Sequence, residues 1–399
     1  LEWCIIYTME IKNRYLCSSI INDLSEKMVF IGGPRQIGKT TLARDLIASH
    51  FHSFYYNWDK IDQRKKALNG QWDPNAELII LDEFHKHPKW KSWIKGEYDV
   101  YKNKYKFLLA GSARLNIYRK GGDSLQGRYH YYTLYPFSYG ELLNNKNIPQ
   151  PGGELSFDQT DENPVFENLM KYGGFPEPLI RQNPTFHRRW LNERIERFFK
   201  EDVRELTMLK DFGSLSLLAH LLPEKVGSIL SINSLSTDLQ ITFKTVSNWL
   251  DVFENFYYCF RIPPYQTRKF SAVKKEKKLY LWDWSEVKNE SAKIENFAAL
   301  HLLKLCSYLN ETEGWNVSLT YLRDITGREV DFLVTFDDKP WFAVEVKTQD
   351  RNISKHLYYF KEKLGIPYIY QLAYRDDNED YVKDNLRVMP LKKFFSGLV

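Results

Sequence analysis

Gly33-Pro34-Arg35-Gln36-Ile37-Gly38-Lys39-Thr40 satisfies the spacing G-x-x-x-x-G-K-[ST] of a loop that cradles phosphate groups. Glycines let backbone N–H groups turn toward phosphate oxygens, and a helix starting near Lys39 adds the positive end of its dipole. Lys39 is expected to reach the β and γ phosphates of ATP, and Thr40 to ligate Mg²⁺. The expected nucleotide-binding set is therefore Gly33, Pro34, Arg35, Gln36, Ile37, Gly38, Lys39, Thr40 and Thr41.

A second group follows an apolar run, Leu78-Ile79-Ile80-Leu81, which delivers Asp82 and Glu83 at its end. That is where α/β sheets bind ligands. Asp82 is expected to hold Mg²⁺ through water, and Glu83 to orient and polarise the water that attacks the γ phosphate. A further run, Lys106–Ala110, leads into Gly111-Ser112, and Ser112 is the expected sensor hydroxyl if this strand neighbours the previous one. Arg128, in Ser124-Leu125-Gln126-Gly127-Arg128, is the candidate arginine finger, with Arg114 as a rival.

These groups need a scaffold that presents them at one edge. Short apolar runs at Met28–Ile31, Glu77–Leu81 and Lys106–Ala110, with a helical pattern over Thr40–Ser49, predict a parallel α/β sheet. The polar stretch Asn144–Pro164 predicts a loop or linker. From Thr185 to about Asn255 apolar residues recur at helical spacing, as in Trp190, Ile195, Phe198 and Phe199. A helix over Glu295–Tyr308 then precedes three β-like runs, Val317–Arg323, Glu329–Phe336 and Trp341–Thr348.

A length of 399 residues suits two or three domains. With 43% hydrophobic and 27% charged residues the composition is that of an ordinary globular protein. No apolar run approaches the roughly 20 residues of a membrane span, and the opening residues lack the pattern of a secretory signal, so neither membrane insertion nor export is expected. Cys4, Cys17, Cys259 and Cys306 have no metal-binding spacing. A cytoplasmic protein fits these features, and a net charge of +5 permits contact with nucleic acid without requiring it.

The segments GGPRQIGKTTL, LIILDEF, LLAGSARL and SLQGRYHYYTLYPFSYGEL, in that order, resemble the prokaryotic AAA-type P-loop ATPases that carry a C-terminal domain of unknown function. Lys171–Pro178 (KYGGFPEP) and Arg328–Phe332 (REVDF) extend the likeness over nearly the whole chain from Met9. The sequence departs from that pattern at GSAR, where a second hydroxyl residue is usual, and at Gln126, where a small residue often stands. The resemblance implies an AAA-type core over 1–165, a helical and winged-helix region over 166–285, and a nuclease-like domain over 286–399. The expected fold class is α/β: a P-loop NTPase sheet, then the winged-helix region, then a restriction-endonuclease-like α/β domain.

In the middle region, helices near Ile232–Leu239 and Phe243–Phe253 and a strand over Tyr257–Ile262 are compatible with a winged helix. Lys244, Thr245, Ser247 and Asn248 would then face a DNA groove, and Lys274, Lys275, Lys277 and Lys278 would meet phosphates. Farther on, Glu295, Asp331, Glu345 and Lys347 follow an order similar to the PD-(D/E)xK nucleases. Alternation along a strand puts Glu345 and Lys347 on one face, where Asp331 and Glu345 could hold Mg²⁺, Glu295 complete the ligands and Lys347 assist a water.

Two readings follow. One is an ATPase coupled to DNA binding or processing; the other is a nucleotide-gated switch or scaffold that binds a protein partner through an inactive nuclease-like domain. A finger acting from a neighbouring copy would add a homo-oligomer.

Overall fold

The computed structural model describes residues 14–111, 125–157, 164–199, 211–266, 276–349, 352–375 and 380–399. Strand β1 (Met28–Gly32), β2 (Ser53–Asn57), β3 (Leu78–Asp82), β4 (Lys106–Ala110) and β5 (Tyr129–Thr133) form a parallel sheet in the order β2-β3-β4-β1-β5. β1 and β3 are buried at every position, which is why both read as unbroken apolar runs rather than alternating ones. On one face Met28, Phe30, Ile79, Leu81, Phe107 and Leu109 join an aromatic-rich core with Trp72, Phe84 and Trp90. The fold is that of a P-loop NTPase: a parallel sheet whose loop-bearing strand and carboxylate-bearing strand are separated by one strand. The helix after the loop begins as Lys39–Thr41 and widens to π hydrogen bonding over Leu42–Ile47.

The described residues fall into two compact units, divided between Pro136 and Phe137, with Asn255–Tyr257 returning to the first. The sequence pattern divides the chain into three, so the difference has a physical cause. The short helix Tyr139–Leu142 is tied to the helix Glu290–Thr312, because the Tyr139 amide donates to His301 Nε2 at 3.1 Å and Lys304 Nζ donates to Glu141 Oε2 at 2.6 Å. Residues after Phe137 therefore belong with the C-terminal unit.

Within that unit, helices come first. Pro184–Arg197 is capped by Asn183, Phe212–Leu221 by Asp211 and Ile232–Asp238 by Ser231, each side chain accepting an amide of the first turn. The helix Phe243–Asn255 leads to an antiparallel pair, β6 (Cys259–Ile262) and β7 (Lys278–Leu281). After the helix Glu290–Thr312 come β8 (Val317–Arg323), β9 (Glu329–Phe336), β10 (Lys339–Lys347), β11 (Tyr368–Ala373), β12 (Tyr381–Lys383) and β13 (Leu386–Pro390). They form a mixed sheet in the order β12-β13-β11-β10-β9-β8. β8, β9 and β10 run antiparallel, the helix Lys355–Leu364 crosses over, and β11 pairs parallel with β10. Leu357 and Phe360 on that helix pack with Leu333, Ala343 and Ile369 of the sheet.

Candidate functional site

The chain leaves β1 at Gly32 and turns through Gly33 at φ +137°. A Cβ on Gly33 would stand 2.6 Å from the Leu134 carbonyl oxygen, so only glycine lets the loop pass this close to the residue after β5. Gln36 at φ 61° and Gly38 at φ 93° bend the loop left-handed again before Lys39 opens the helix. Left-handed residues of this kind turn successive N–H groups to one side and make an anion-binding concavity. Lys39 Nζ donates to the carbonyls of Gly33 at 3.0 Å and Pro34 at 2.6 Å, which lays the ammonium across the loop. Arg14, a residue without a sequence signature, braces the loop by donating to Ile37 O at 3.2 Å and Tyr135 O at 2.7 Å.

β4 lies between β1 and β3, and the end of β3 is thereby set beside the loop. Thr40 Oγ1 donates to Asp82 Oδ2 at 2.9 Å. The same oxygen accepts the Tyr55 hydroxyl at 2.6 Å from β2. Burial pushes the Asp82 carboxyl up, the neighbouring Glu83 adds to the shift, and the hydrogen bonds from Tyr55 and Thr40 and the Lys39 charge oppose it. Burial and the bond to Asp82 hold the Tyr55 hydroxyl protonated. Glu83 sits at φ 61°, its amide donating to Ala110 O at 2.9 Å, with its carboxylate 3.5 Å from Lys86 Nζ. A loop that a Cβ would fill, a lysine across it, and a hydroxyl paired with a buried carboxylate fit a nucleoside triphosphate with Mg²⁺.

Of the remaining residues expected at this site, Ser112 and Arg114 lie outside the described residues. Arg128 does not reach the loop. It immediately precedes β5, whose Tyr129 is in register with Met28 and whose Thr133 is in register with Gly32, so Arg128 sits at the sheet edge opposite the loop, on the order of 15 Å away along the strand. There its guanidinium pairs with Asp99 at 2.8 Å.

In the second unit, the structure brings Glu295, Asp331, Glu345 and Lys347 into one cluster. Lys347 Nζ is 2.7 Å from Glu345 Oε1, Asp331 Oδ2 accepts the Val346 amide at 2.9 Å, and Glu295 Oε1 accepts the Tyr280 hydroxyl at 2.7 Å. Burial, reinforced by the Asp331 charge, pushes both Glu295 and Glu345 up to about 7. Among the described residues, no three His, Cys, Asp or Glu side chains converge as a metal-ligand group. The phosphate-contact role expected of Lys278 is corrected: its side chain is 2% exposed and its ammonium turns inward to Glu295 and Glu329. Lys277 is exposed, and Lys274 and Lys275 lie outside the described residues. On the helix Phe243–Asn255, Lys244 and Asn248 are exposed, Ser247 is half-buried, and the half-buried Thr245 bonds its hydroxyl to that of Thr242 at 2.8 Å.

Three family models match successive parts of the chain. Residues 25–143 match a family described as an AAA domain, and residues 163–287 and 290–394 match the domains of unknown function DUF8612 and DUF4143. An uncharacterised protein of Methanocaldococcus jannaschii is 22% identical over 357 residues, covering 84% of this chain and 78% of its own length. An uncharacterised protein of Haemophilus influenzae is 21% identical over 339 residues, covering 77% of this chain and 80% of its own. Among solved structures, Thermotoga maritima RuvB aligns at 15% identity over 62% of this chain and 87% of its own, with a TM-score of 0.29, too low to carry weight here. No helix among the described residues is long and apolar enough to cross a membrane.

Proposed function

We propose that the N-terminal unit hydrolyses ATP in a Mg²⁺-dependent reaction at the Gly33–Thr40 loop. The observation that carries this reading is the 2.9 Å contact of Thr40 Oγ1 with Asp82 Oδ2, which joins a hydroxyl from the loop to a carboxylate from a strand two places away. Thr40 and Asp82 would hold Mg²⁺, which when bound draws charge from the β and γ phosphate oxygens. The loop N–H groups hold the phosphates. Lys39 exchanges its two carbonyl acceptors for phosphate oxygens and so places its charge where negative charge builds up. Glu83 orients a water for in-line attack on the γ phosphorus and accepts its proton. The test is steady-state ATP turnover against Mg²⁺ concentration. Lys39→Ala and Glu83→Gln should each reduce turnover by on the order of a hundredfold or more, with ATP still binding to Glu83→Gln; wild-type turnover in Lys39→Ala would overturn the assignment.

Because Arg128 lies at the far sheet edge and pairs with Asp99, it could act as a finger only toward the loop of a second copy of the chain, so that role stands or falls with a homo-oligomer. The exposed Lys244 and Asn248, on a helix followed in the chain by the antiparallel β6–β7 pair, support the winged-helix reading and a contact with DNA. The antiparallel β8-β9-β10 followed by a crossover to β11 supports the nuclease-like reading of the last domain. The inward-turned Lys278 favours the scaffold form of that domain over the cleaving one. Turnover measured with and without linear and branched DNA separates the readings: stimulation favours coupling to DNA, and indifference favours a protein partner.

A further inference from the structure

The order of Glu295, Asp331, Glu345 and Lys347 calls for a divalent cation, and the structure places a different cation against two of those carboxylates, Glu295 and Asp331. Lys278, the first residue of β7, extends its ammonium to within 2.7 Å of Glu329 Oε1, 3.2 Å of Glu295 Oε1 and 3.5 Å of Asp331 Oδ1. An ammonium has three donors, and here three carboxylates surround it. The ring of Tyr321 covers it at 5.6 Å. One oxygen of each expected ligand is also engaged elsewhere. Glu295 Oε1 takes the Tyr280 hydroxyl at 2.7 Å, Asp331 Oδ2 takes the Val346 amide at 2.9 Å, and Glu345 Oε1 takes Lys347 at 2.7 Å.

Mg²⁺ binds oxygens at about 2.0–2.1 Å in a near-octahedral shell. Between Glu295 and Asp331 it would have to occupy the volume of the Lys278 ammonium, or lie against a like charge in a water-poor site where repulsion is strong. Moving the lysine aside would leave a buried ammonium without its carboxylates, the arrangement that costs most in a protein interior. The residues between Glu295 and Asp331 therefore do not fit a metal.

We propose that Lys278 is a built-in cation that takes the place of a divalent metal in this cluster. The cluster is then a closed ionic strut that fastens β7 to the helix Glu290–Thr312 and to β9, and the C-terminal domain does not cleave by a metal-dependent route. β7 belongs to the helical region that precedes the domain, pairing with β6, so the strut joins two parts that the sequence separates. It adds to the hydrogen bonds of Asn296 with Leu281 that join those parts in one compact unit. The inference is independent of the ATPase reading, which concerns the other unit.

The test is Mn²⁺ binding by the full chain without nucleotide, followed by electron paramagnetic resonance, in wild type and Asp331→Asn. Equal binding in the two is the expected result. Binding in wild type that Asp331→Asn abolishes would overturn the proposal, and this comparison needs no change at Lys278. In Lys278→Ala, Mn²⁺ should bind roughly tenfold tighter or more, the scale of removing a like charge within about 4 Å, and adding Asp331→Asn should erase the gain. A folded Lys278→Ala protein with no gain would show that Lys278 is not what excludes the metal.

Discussion

Tyr55 on β2 donates its hydroxyl to Asp82 Oδ2 on β3 at 2.6 Å, and it shares that oxygen with Thr40. The two donors, one from β2 and one from the loop helix, converge on a single oxygen of the buried carboxylate. A carboxylate held this way is oriented before any metal arrives, which spares it the cost of ordering at the moment of binding.

Replacing Tyr55 by Phe keeps the ring and removes the donor. A hydrogen bond to a charged group contributes about 1.5–3 kcal/mol, so the Mg²⁺ concentration for half-maximal turnover should rise by on the order of tenfold. Affinity for ATP in the absence of Mg²⁺ should stay the same. A Mg²⁺ titration of ATP turnover checks this, and an unmoved midpoint would mean that Tyr55 only packs.

The KYGGFPEP segment is explained by packing in the second unit. Gly173 ends the helix Val165–Tyr172 at φ 78°, ψ 179°, a region open essentially to glycine alone. A Cβ there would lie 2.5 Å from Asp283 Oδ1 and 3.2 Å from Ser285 Oγ. Those atoms belong to a buried network, since Asp283 Oδ2 pairs with Arg194 at 3.2 Å and Ser285 Oγ meets His187 Nε2 at 3.0 Å. Gly173→Ala should therefore destabilise the second unit by about 2–3 kcal/mol, from the strained backbone and the displaced carboxylate. Urea unfolding measures the loss, and it should leave ATP turnover of the folded protein unchanged.

The nucleotide loop was legible because chemistry fixes its residue types: glycines where N–H groups must turn, a lysine for phosphate, a hydroxyl and a carboxylate for the metal. The expected runs at Lys106–Ala110, Val317–Arg323 and Glu329–Phe336 coincide with β4, β8 and β9. Tyr55 was not legible, because SFYYN has no aliphatic run and β2, partly exposed, carries no clear alternation. Lys278 was not legible for the opposite reason. In KKEKK a lysine reads as solvated, and only the pairing of β7 with β6 turns this one toward carboxylates that arrive 17 to 53 residues later. Arg128 fits the spacing of a finger, but spacing says nothing of which sheet edge it occupies.

His301 gives the second unit a pH dependence whose sign the hydrogen bonds determine. The Tyr139 amide can only donate, so His301 Nε2 accepts at 3.1 Å, and Nδ1–H donates to the Phe297 carbonyl at 2.8 Å. The ring is therefore neutral, and burial, with the nearby Lys304 charge, pushes its pKa down to about 3. In the unfolded chain a histidine titrates near about 6.5. Between these values the unfolded state binds a proton that the folded state refuses, so the contribution is fully present above about pH 6.5 and is lost as pH falls toward 3, by up to about 1.4 kcal/mol per pH unit. Other buried groups titrate in the same range, so the informative quantity is the difference between wild type and His301→Gln, in which no proton binds. The variant should lie at a constant offset above pH 6.5, and the offset should shrink as pH falls from 6.5 to 5. Urea unfolding at pH 7.5, 6.5, 5.8 and 5.0 checks this; a constant offset throughout would mean that the ring takes up a proton as readily in the folded protein as in the unfolded chain and that the Tyr139 contact does not hold.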